Sequence, residues 1–317
     1  MNVFITGATG FVTGNVARKL LARGDTVRAL VRDPGRAGHL DGAELVHGDL
    51  ANEDALRTGM QGVDAVIHGA AIYEIGLTKR QRETMFETNV RGTARVLSAA
   101  KSARVGKVVY ISTIAVFGNT HGHVVDETFR RTDRTYTSYY EETKLRAHEI
   151  ADSFVVDGLP VVMVQPGQVY GPRDHSGFGG LLTSFARGRL PVLPFPDLGL
   201  NLTYVDDIAS GILLALDRGQ PGRSYVMGGE ITRSAAAFET LGRIIGRPAP
   251  RWNLPYAVLE AATLVRPQLR EVITSAKGVT FWATDERARK ELGYAPRTLE
   301  DGLRETYAAA PQATARD

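Results

Sequence analysis

The sequence predicts an α/β protein built on a doubly wound parallel sheet, with a smaller mixed lobe toward its C-terminus. Over the first half of the chain, short apolar segments alternate with amphipathic helical segments, as in a parallel sheet with helices on both faces. Beyond residue 168, glycine and proline become frequent and strand patterns few. We therefore expect residues 1–167 to form the main domain and residues 168–317 the smaller lobe, with a segment at about 199–227 returning to the main domain.

Each element rests on a local signal. Apolar runs that end at turn residues predict strands, and apolar residues three or four apart predict helices. Gly24 lies where a C-cap glycine belongs, and Asn52 is a suitable N-cap followed by two acidic residues. The expected strands cover residues 2–6, 26–31, 43–48, 64–69, 107–112 and 160–165, and the expected helices cover residues 11–23, 78–103 and 139–156 and a segment that starts at Asn52.

The composition argues against several classes of function. The 317 residues include no cysteine, which excludes disulfides, thiolate nucleophiles and sulfur-ligated zinc. The net charge is +3 and the lysines and arginines are scattered along the chain, so we expect no nucleic-acid partner.

The N-terminus lacks a leader pattern, and the longest apolar stretches, such as 208–216, are about half as long as a membrane span. We therefore expect a cytoplasmic protein without a membrane span. His121 and His123 lack matching carboxylates, so we expect no metal, and residues 311–317 resemble a loose tail.

A glycine-rich loop follows the first predicted strand in "TGATGFVTGN" (6–15). Gly7 suits a tight turn, and Gly10 would let backbone amides approach a pyrophosphate at a helix N-terminus. The third glycine of such loops is replaced by Thr13, and Gly14 follows it. Because the third glycine serves packing, we expect dinucleotide binding to survive. Either Gly14 meets the strand instead, or the helix lies about a methyl group further away.

The end of the second predicted strand indicates which dinucleotide binds. Arg32 occupies the position that reads the adenosine ribose, and a guanidinium suits a 2′-phosphate, so we expect NADP. The adjacent Asp33 keeps NAD open. Asp49, after the third strand, could meet the adenine edge or cap the helix that starts at Asn52.

The segment "TSYYEETK" (137–144) contains a pair of residues suited to proton transfer. Ser138 and Glu141 fit a capping box that would start a helix, which places Tyr140 and Lys144 one turn apart on one face. Lowering a phenol pKa from about 10 to about 7 takes roughly 4 kcal/mol, and a nearby ammonium acts in that direction. Ser112 and Thr113 end the fifth predicted strand, where either hydroxyl could hold a substrate oxygen beside Tyr140.

Several further motifs lie along the chain in a fixed order. They are "HGAA" (68–71), "NVRGT" (89–93), "ISTIAVFG" (111–118), "QPGQVYGPRD" (165–174), "TYVDDIA" (203–209) and "ELGYAP" (291–296). With the glycine loop and the Tyr140–Lys144 pair, they closely resemble the extended short-chain dehydrogenase/reductases, the NAD(P)-dependent epimerase/dehydratase group, over essentially the whole chain. Within that group, residues 27–34 and 199–219 look most similar to the dihydroflavonol-reductase branch and the related hopanoid-associated sugar epimerases.

The resemblance implies a Rossmann domain and specific roles. Tyr140 would be the catalytic acid or base, Lys144 would lower its pKa and hold the nicotinamide ribose, and Thr113 would be the catalytic hydroxyl. The residues expected at the cofactor are Gly7, Thr9, Gly10, Phe11, Val12, Arg32, Asp49, Leu50, Ala70, Ala71, Tyr140, Lys144, Pro166 and Gly167. Two further departures from the family are Gln165, where an arginine usually precedes the proline, and Asn201 with Leu202, where nucleotide-sugar enzymes often carry an arginine.

These features predict an NADP-dependent oxidoreductase that reduces a ketone or aldehyde, with Tyr140 as proton donor. The alternatives are a nucleotide-sugar epimerase or dehydratase that retains NAD(P), and a non-catalytic cofactor-sensing regulator. The expected partner is a small carbonyl compound or sugar, and a homodimer is the assembly we consider. Aromatic residues in the least patterned segments favour an apolar carbonyl; these residues are Phe178, Phe185, Phe195 and Trp252.

Overall fold

The computed structural model describes residues 1–308, so the predicted tail at 311–317 lies outside the described residues. The strands are β1 (Asn2–Thr6), β2 (Thr26–Val31), β3 (Glu44–His47), β4 (Ala65–His68), β5 (Lys107–Ile111), β6 (Val161–Pro166), β7 (Gln168–Tyr170), β8 (Val192–Leu193), β9 (Gly199–Tyr204), β10 (Ser224–Met227), β11 (Glu230–Arg233) and β12 (Trp252–Asn253). The helices are α1 (Phe11–Ala22), α2 (Glu53–Gly59), α3 (Lys79–Phe86), α4 (Gly92–Ser102), α5 (Tyr139–Val156), α6 (Gly177–Ala186), α7 (Val205–Arg218), α8 (Ser234–Ile245), α9 (Tyr256–Ala262), α10 (Leu269–Thr274), α11 (Glu286–Leu292) and α12 (Leu299–Tyr307).

Seven strands form one parallel sheet in the order β10-β6-β5-β4-β1-β2-β3. The chain starts in the middle, at β1, moves outward through β2 and β3, and then returns to build the other half from β4. The predicted fold class is therefore confirmed. The strand order reverses between β1 and β4, and the carboxyl ends of strands at such a switch point form the usual ligand crevice of an open α/β sheet.

Two hydrophobic layers cover the sheet. Alternate residues of a strand point to opposite faces, so Val3 and Ile5 join a core that includes Leu20 of α1 and Ile212 of α7. Phe4, between them, joins the opposite core formed with helices α2, α4 and α5. Both faces are thus covered by helices, which explains why the strands are apolar on both sides.

The predicted helix at 78–103 is interrupted by a π-helical turn. Residues Glu87–Arg91 are π-helical and connect α3 to α4. The wider turn places the buried Asn89 so that its amide exchanges hydrogen bonds with the backbone of Ile72 (2.8 and 3.0 Å) and donates to the Thr143 hydroxyl (3.1 Å). Asn89 therefore joins the segment after β4 to the helix that carries Tyr140.

The smaller lobe is mixed, as expected from the looser pattern. Strands β7, β9 and β11 form a three-stranded sheet, in which β9 pairs parallel to β7 and antiparallel to β11. Leu182 of α6, Phe238 of α8 and Leu303 of α12 share its hydrophobic core. Within residues 1–308, none of the helices combines the length and apolarity that crossing a membrane would require.

Candidate active site

A cavity of about 1080 Å³ lies where the carboxyl ends of the central strands meet the smaller lobe. Every residue that the sequence predicted to be catalytic or to bind the cofactor lines this one cavity. They are Gly7, Thr9, Gly10, Phe11, Val12, Arg32, Asp49, Leu50, Ala70, Ala71, Thr113, Tyr140, Lys144, Pro166 and Gly167. The structure therefore brings together residues that are far apart in the sequence.

The glycine loop has the geometry of an anion site. Gly7 has a φ of +78°, and a Cβ there would lie 2.8 Å from the backbone of Ala70, so only glycine fits. Gly10 is the N-cap of α1, which has no side-chain cap and no acidic residue in its first turn. The first amides of α1 are therefore free of side-chain competition, and the helix dipole favours an anion there. This arrangement fits a dinucleotide pyrophosphate.

Thr13 is accommodated in a way that neither sequence-based alternative anticipated. Its hydroxyl donates a hydrogen bond to the carbonyl oxygen of Gly7. Its methyl group occupies the space that a side chain on Gly69 would need. Gly14 meets the carbonyl of Ala8 and the ring of His39 rather than a strand. Thr13 therefore fits because Gly69, directly after β4, has no side chain, and the glycine of "HGAA" was the signal in the sequence.

An exposed arginine lies at the end of the cavity beside β2. Arg32 is exposed and lines the cavity directly after β2. The Asp33 carboxylate accepts from the amide of Gly35 (2.9 Å) and so caps its own turn. Asp49 lines the cavity, and its Oδ1 accepts from the amides of Ala51 (2.9 Å) and Asn52 (3.2 Å) in the turn before α2. The cap of α2 is Asn52 itself, whose side chain accepts from the Ala55 amide (2.9 Å), so Asp49 does not cap the helix.

Helix α5 presents Tyr140 and Lys144 to the cavity, but its start differs in detail from the prediction. The Ser138 hydroxyl accepts from the Glu141 amide (3.2 Å), which is one half of a capping box. The other half is absent, because the buried Glu141 carboxylate pairs with Arg131 (2.6 Å) and accepts from the Thr137 amide (2.9 Å). The expected reciprocal box is therefore wrong, and a buried ion pair fixes the start of the helix instead.

Lys144 contacts the backbone of β5. Its ammonium donates to the carbonyl oxygen of Ile111 (2.9 Å) and lies 5.1 Å from the centre of the Tyr110 ring. Burial lowers the pKa of Lys144 to about 7. Burial likewise raises the pKa of Tyr140 above its usual range, the neighbouring Tyr73 adds to this, and only the Thr113 hydroxyl opposes it. The direction is opposite to the one the sequence suggested, because desolvation dominates the pKa of Tyr140 in the protein alone.

The two candidate residues Ser112 and Thr113 both line the cavity, but their hydroxyls have different partners. Thr113 is half-buried, lines the cavity and acts on the ionisation of Tyr140. The Ser112 hydroxyl shares a hydrogen bond with Nδ1 of His148 (2.8 Å), on the helix behind it. The geometry thus favours Thr113 as the hydroxyl that meets a substrate.

The buried His68 supports the site but was not predicted from the sequence. Its ring shares hydrogen bonds with the hydroxyls of Thr6 (2.7 Å) and Thr93 (3.0 Å) and stacks on Tyr110 at 5.7 Å. Burial, with a smaller effect of the Lys144 charge, lowers the pKa of His68 to about 3, which keeps the ring neutral. His68 therefore joins β1, β4, α4 and β5 beneath Lys144.

The far end of the cavity is largely apolar. Its walls come from the segment after β4 and from the smaller lobe; the apolar residues include Ile75, Phe178, Leu181, Phe195, Leu198, Leu200, Val272 and Phe281. Two of the four predicted aromatic residues are elsewhere: Phe185 is packed against Phe238 in the lobe core, and Trp252 is exposed. Among residues 1–308, no three His, Asp or Glu side chains gather into a group that could hold a metal ion.

The residues at the other two departures from the family pattern are both buried. Asn201 donates to the carbonyl oxygen of Ala283 (2.6 Å) and accepts from the amide of Gly229 (2.7 Å), so its amide group joins segments of the lobe. Gln165 is buried at the end of β6, beside the predicted nicotinamide residues Pro166 and Gly167, and its Oε1 has no hydrogen-bond partner within the described chain.

Comparison with known proteins agrees with this geometry. Residues 3–228 match the family model described as the NAD dependent epimerase/dehydratase family. A relative from Synechocystis sp., provisionally named dihydroflavonol 4-reductase, is 32% identical over 95% of this chain and 83% of its own. A 3 beta-hydroxysteroid dehydrogenase/Delta 5-->4-isomerase from Mycobacterium tuberculosis is 30% identical over 93% of this chain and 86% of its own.

The solved structure of gox2253 superposes on the fold with a TM-score of 0.84 at 33% identity, covering 96% of each chain. Its similarity extends over both the main sheet and the smaller lobe. The chain therefore belongs to the NAD-dependent epimerase/dehydratase family and is an oxidoreductase of the extended short-chain dehydrogenase/reductase type.

Proposed function

We propose that this protein reduces an apolar ketone or aldehyde with NADPH, and that Tyr140 donates the proton. The observation that carries the proposal is the division of one cavity into two unlike ends that meet at Tyr140. One end offers free helix amides and Arg32, which suit a phosphorylated dinucleotide. The other end offers apolar side chains from the smaller lobe, which suit an uncharged carbonyl compound.

Each residue at the junction has a role in this reaction. The cofactor supplies the hydride that the carbonyl carbon receives. The amides at the start of α1 would hold its pyrophosphate, where Gly7 and Gly10 let the backbone come close, and Pro166 with Gly167 would contact the nicotinamide. The Thr113 hydroxyl would hold the carbonyl oxygen while Tyr140 gives that oxygen its proton.

Lys144 has two roles in the proposal. It would hold the nicotinamide ribose, and its charge would favour the phenolate that Tyr140 becomes after proton transfer. In the protein alone its ammonium faces the Ile111 carbonyl. Reorientation of Lys144 toward a bound ribose is therefore part of the proposal.

The preference for NADPH rests on the two residues after β2. Arg32 faces the cavity, whereas the Asp33 carboxylate is engaged by the Gly35 amide. NAD binding at this position uses a carboxylate on the ribose 2′-hydroxyl, and NADP binding uses a guanidinium on the 2′-phosphate. The arrangement supports NADP, since the available group is the guanidinium.

The family also includes epimerases and dehydratases, so sugar chemistry is the second candidate. A nucleotide sugar carries a diphosphate, which needs cationic partners. Among the described residues, the lysine and arginine side chains that line the cavity are Arg32, Arg95 and Lys144, all outside the smaller lobe. The lobe instead contributes the carboxyl group of Asp174. This distribution favours an uncharged carbonyl substrate, as does the steroid in the name of the mycobacterial relative.

The two candidates differ in what happens to the cofactor. A reductase exchanges it at every turnover, whereas an epimerase retains it. We expect the purified protein to lack cofactor and to consume NADPH with a steroid ketone, an aryl ketone or cyclohexanone, but not with UDP-glucose or dTDP-glucose. Tightly retained cofactor with sugar isomerisation and no net NADPH loss would overturn the proposal.

A further inference from the structure

One segment of the smaller lobe exposes apolar side chains to an unusual degree. Helix α9, with the sequence "YAVLEAA", has none of its residues buried. In the turn that follows, Leu264 is 81% and Val265 is 85% exposed, and Trp252 before the helix is 76% exposed. Scattered apolar residues on a surface are ordinary, but a contiguous patch indicates an interaction site.

The exposed residues belong to an ordered structure. Val258, Ala261 and Val265 are three and four positions apart, so they share one face of α9 and its continuation. The turn is held by backbone hydrogen bonds from Leu264 to Ala261 (3.1 Å) and from Val265 to Ala262 (3.2 Å). The fold therefore presents this apolar face to the outside.

The charges around the apolar face that lack an ion-pair partner are positive. Arg251, Arg266 and Arg270 are exposed, and no carboxylate of the described chain lies within 4 Å of any of them. The two acidic residues of the segment are engaged elsewhere: Glu260 pairs with Lys277 (2.7 Å), and Glu271 pairs with Arg82 (2.8 Å). The surface thus combines apolar side chains with positive charge that is not neutralised.

The patch borders the apolar end of the active-site cavity. Helix α10 follows the exposed turn, and Val272, Ser275 and Ala276 of this region line the cavity. The carboxylate of Glu271 accepts from the amide of Tyr139 (2.6 Å), next to Tyr140. A surface that binds residues 251–270 would therefore lie close to the cavity wall that faces the proposed substrate.

We propose that residues 251–270, the α9–α10 face, dock on an anionic lipid surface. The apolar side chains of Val258, Leu264 and Val265 would enter the boundary between headgroups and acyl chains, while the three arginines meet lipid phosphates. An apolar face flanked by arginines is the pattern of interfacial membrane binding. A second copy of the chain fits less well, because a two-fold interface through this face would bring its unpaired arginines against one another.

Co-sedimentation with lipid vesicles tests this docking independently of the proposed reaction. Vesicles of equal parts phosphatidylcholine and phosphatidylglycerol should bind the unmutated protein, and vesicles of phosphatidylcholine alone should bind it much less. Each of R266S and R270S should weaken binding by about fivefold, the usual effect of one basic residue near an anionic surface. The double variant L264E/V265E should weaken it by more than about tenfold.

A matched control is available on helix α5. Val156 at the end of α5 is 86% exposed, so V156E changes an equally exposed valine outside the patch. It should leave vesicle binding unchanged, and circular dichroism with a cooperative thermal transition should show that every variant is folded. Equal binding to neutral vesicles, no binding to anionic ones, or equal loss in V156E would overturn the proposal. A dimer that L264E/V265E disrupts, without vesicle binding, would assign the face to a second copy instead.

Discussion

The two ends of the active-site cavity are built in different ways. The dinucleotide end consists of backbone from consecutive strand ends and one helix N-terminus, with glycines where the backbone approaches closest. The apolar end consists of side chains from segments about 100 residues or more apart in sequence, such as Phe178 and Val272 with Ile75. The first end depends on local geometry that a short motif determines, whereas the second depends on how distant segments pack. The following predictions test whether the two ends meet at Tyr140 as proposed.

Removal of the Tyr140 hydroxyl should have the largest effect. Tyr140→Phe should lower turnover by about 10²–10⁴, the usual contribution of a positioned general acid. NADPH affinity should remain within a few-fold, because the phenol contributes to chemistry rather than to the pyrophosphate site. Steady-state kinetics and a fluorescence titration of NADPH measure the two effects.

The matched control is Tyr139→Phe. Tyr139 neighbours Tyr140 in sequence, but its ring lies under Arg82, with the guanidinium 5.2 Å from the ring centre. It should retain near-full activity. Similar losses in the two variants would remove the special role of Tyr140.

Lys144 should make stability depend on pH. Burial lowers its pKa from 10.5 to about 7, so between these values the folded protein binds fewer protons than the unfolded chain. The free energy of unfolding should therefore rise with pH in this interval, by up to about 1.4 kcal/mol per pH unit. Lys144→Met should lose this slope, while Lys101→Met, at an exposed ion pair, should retain it.

Urea unfolding from about pH 7 to about pH 9 measures this slope below the ordinary tyrosine pKa of about 10. The cofactor is left out, because binding would add its own pH dependence. The same slope in the unmutated protein and in Lys144→Met would show that this lysine is not desolvated as the structure indicates.

Arg32→Ala should change the choice of cofactor at the dinucleotide end. The unmutated protein should bind NADPH more tightly than NADH. The variant should reduce the ratio of these two affinities by about tenfold, or about 1.4 kcal/mol. NADH affinity should change little, since that cofactor has no 2′-phosphate. Parallel titrations of both cofactors give the answer, and tighter NADH binding by the unmutated protein would contradict the proposal.

Thr13→Gly should have the smallest effect on the cofactor. Its affinity should change by less than about tenfold, because the amides of the anion site come from other residues. Stability should fall by about 2 kcal/mol, since a hydrogen bond to Gly7 and a buried methyl group are lost. Gly69→Ala should lower the stability of the unmutated protein more than it lowers the stability of the Thr13→Gly variant, because the new methyl group would overlap that of Thr13. If Gly69→Ala lowers stability equally with and without Thr13→Gly, this packing is refuted.

The sequence predicted the sheet, the glycine loop and the Tyr140–Lys144 pair because each depends on residues a few positions apart. It did not predict that the methyl group of Thr13 lies in the space left by Gly69. It also did not predict that the Glu141 carboxylate pairs with Arg131 instead of completing the capping box. Each of these contacts joins separate segments of the chain. The sequence also placed Phe185 and Trp252 at the cavity, since aromatic character alone does not distinguish a cavity wall from a core or a surface. The pKa direction at Tyr140 was missed because burial cannot be read from spacing.

The most direct test of the account follows the hydrogen that is transferred. NADPH with deuterium at its transferable position is incubated with the unmutated protein and a steroid ketone, an aryl ketone or cyclohexanone. The product alcohol is then examined by mass spectrometry. We predict one deuterium in each product molecule for each NADPH consumed, with no transfer by Tyr140→Phe above its residual turnover. Deuterium that stays with a bound cofactor, together with isomerisation of UDP-glucose or dTDP-glucose, would contradict the account and assign the cavity to sugar epimerisation.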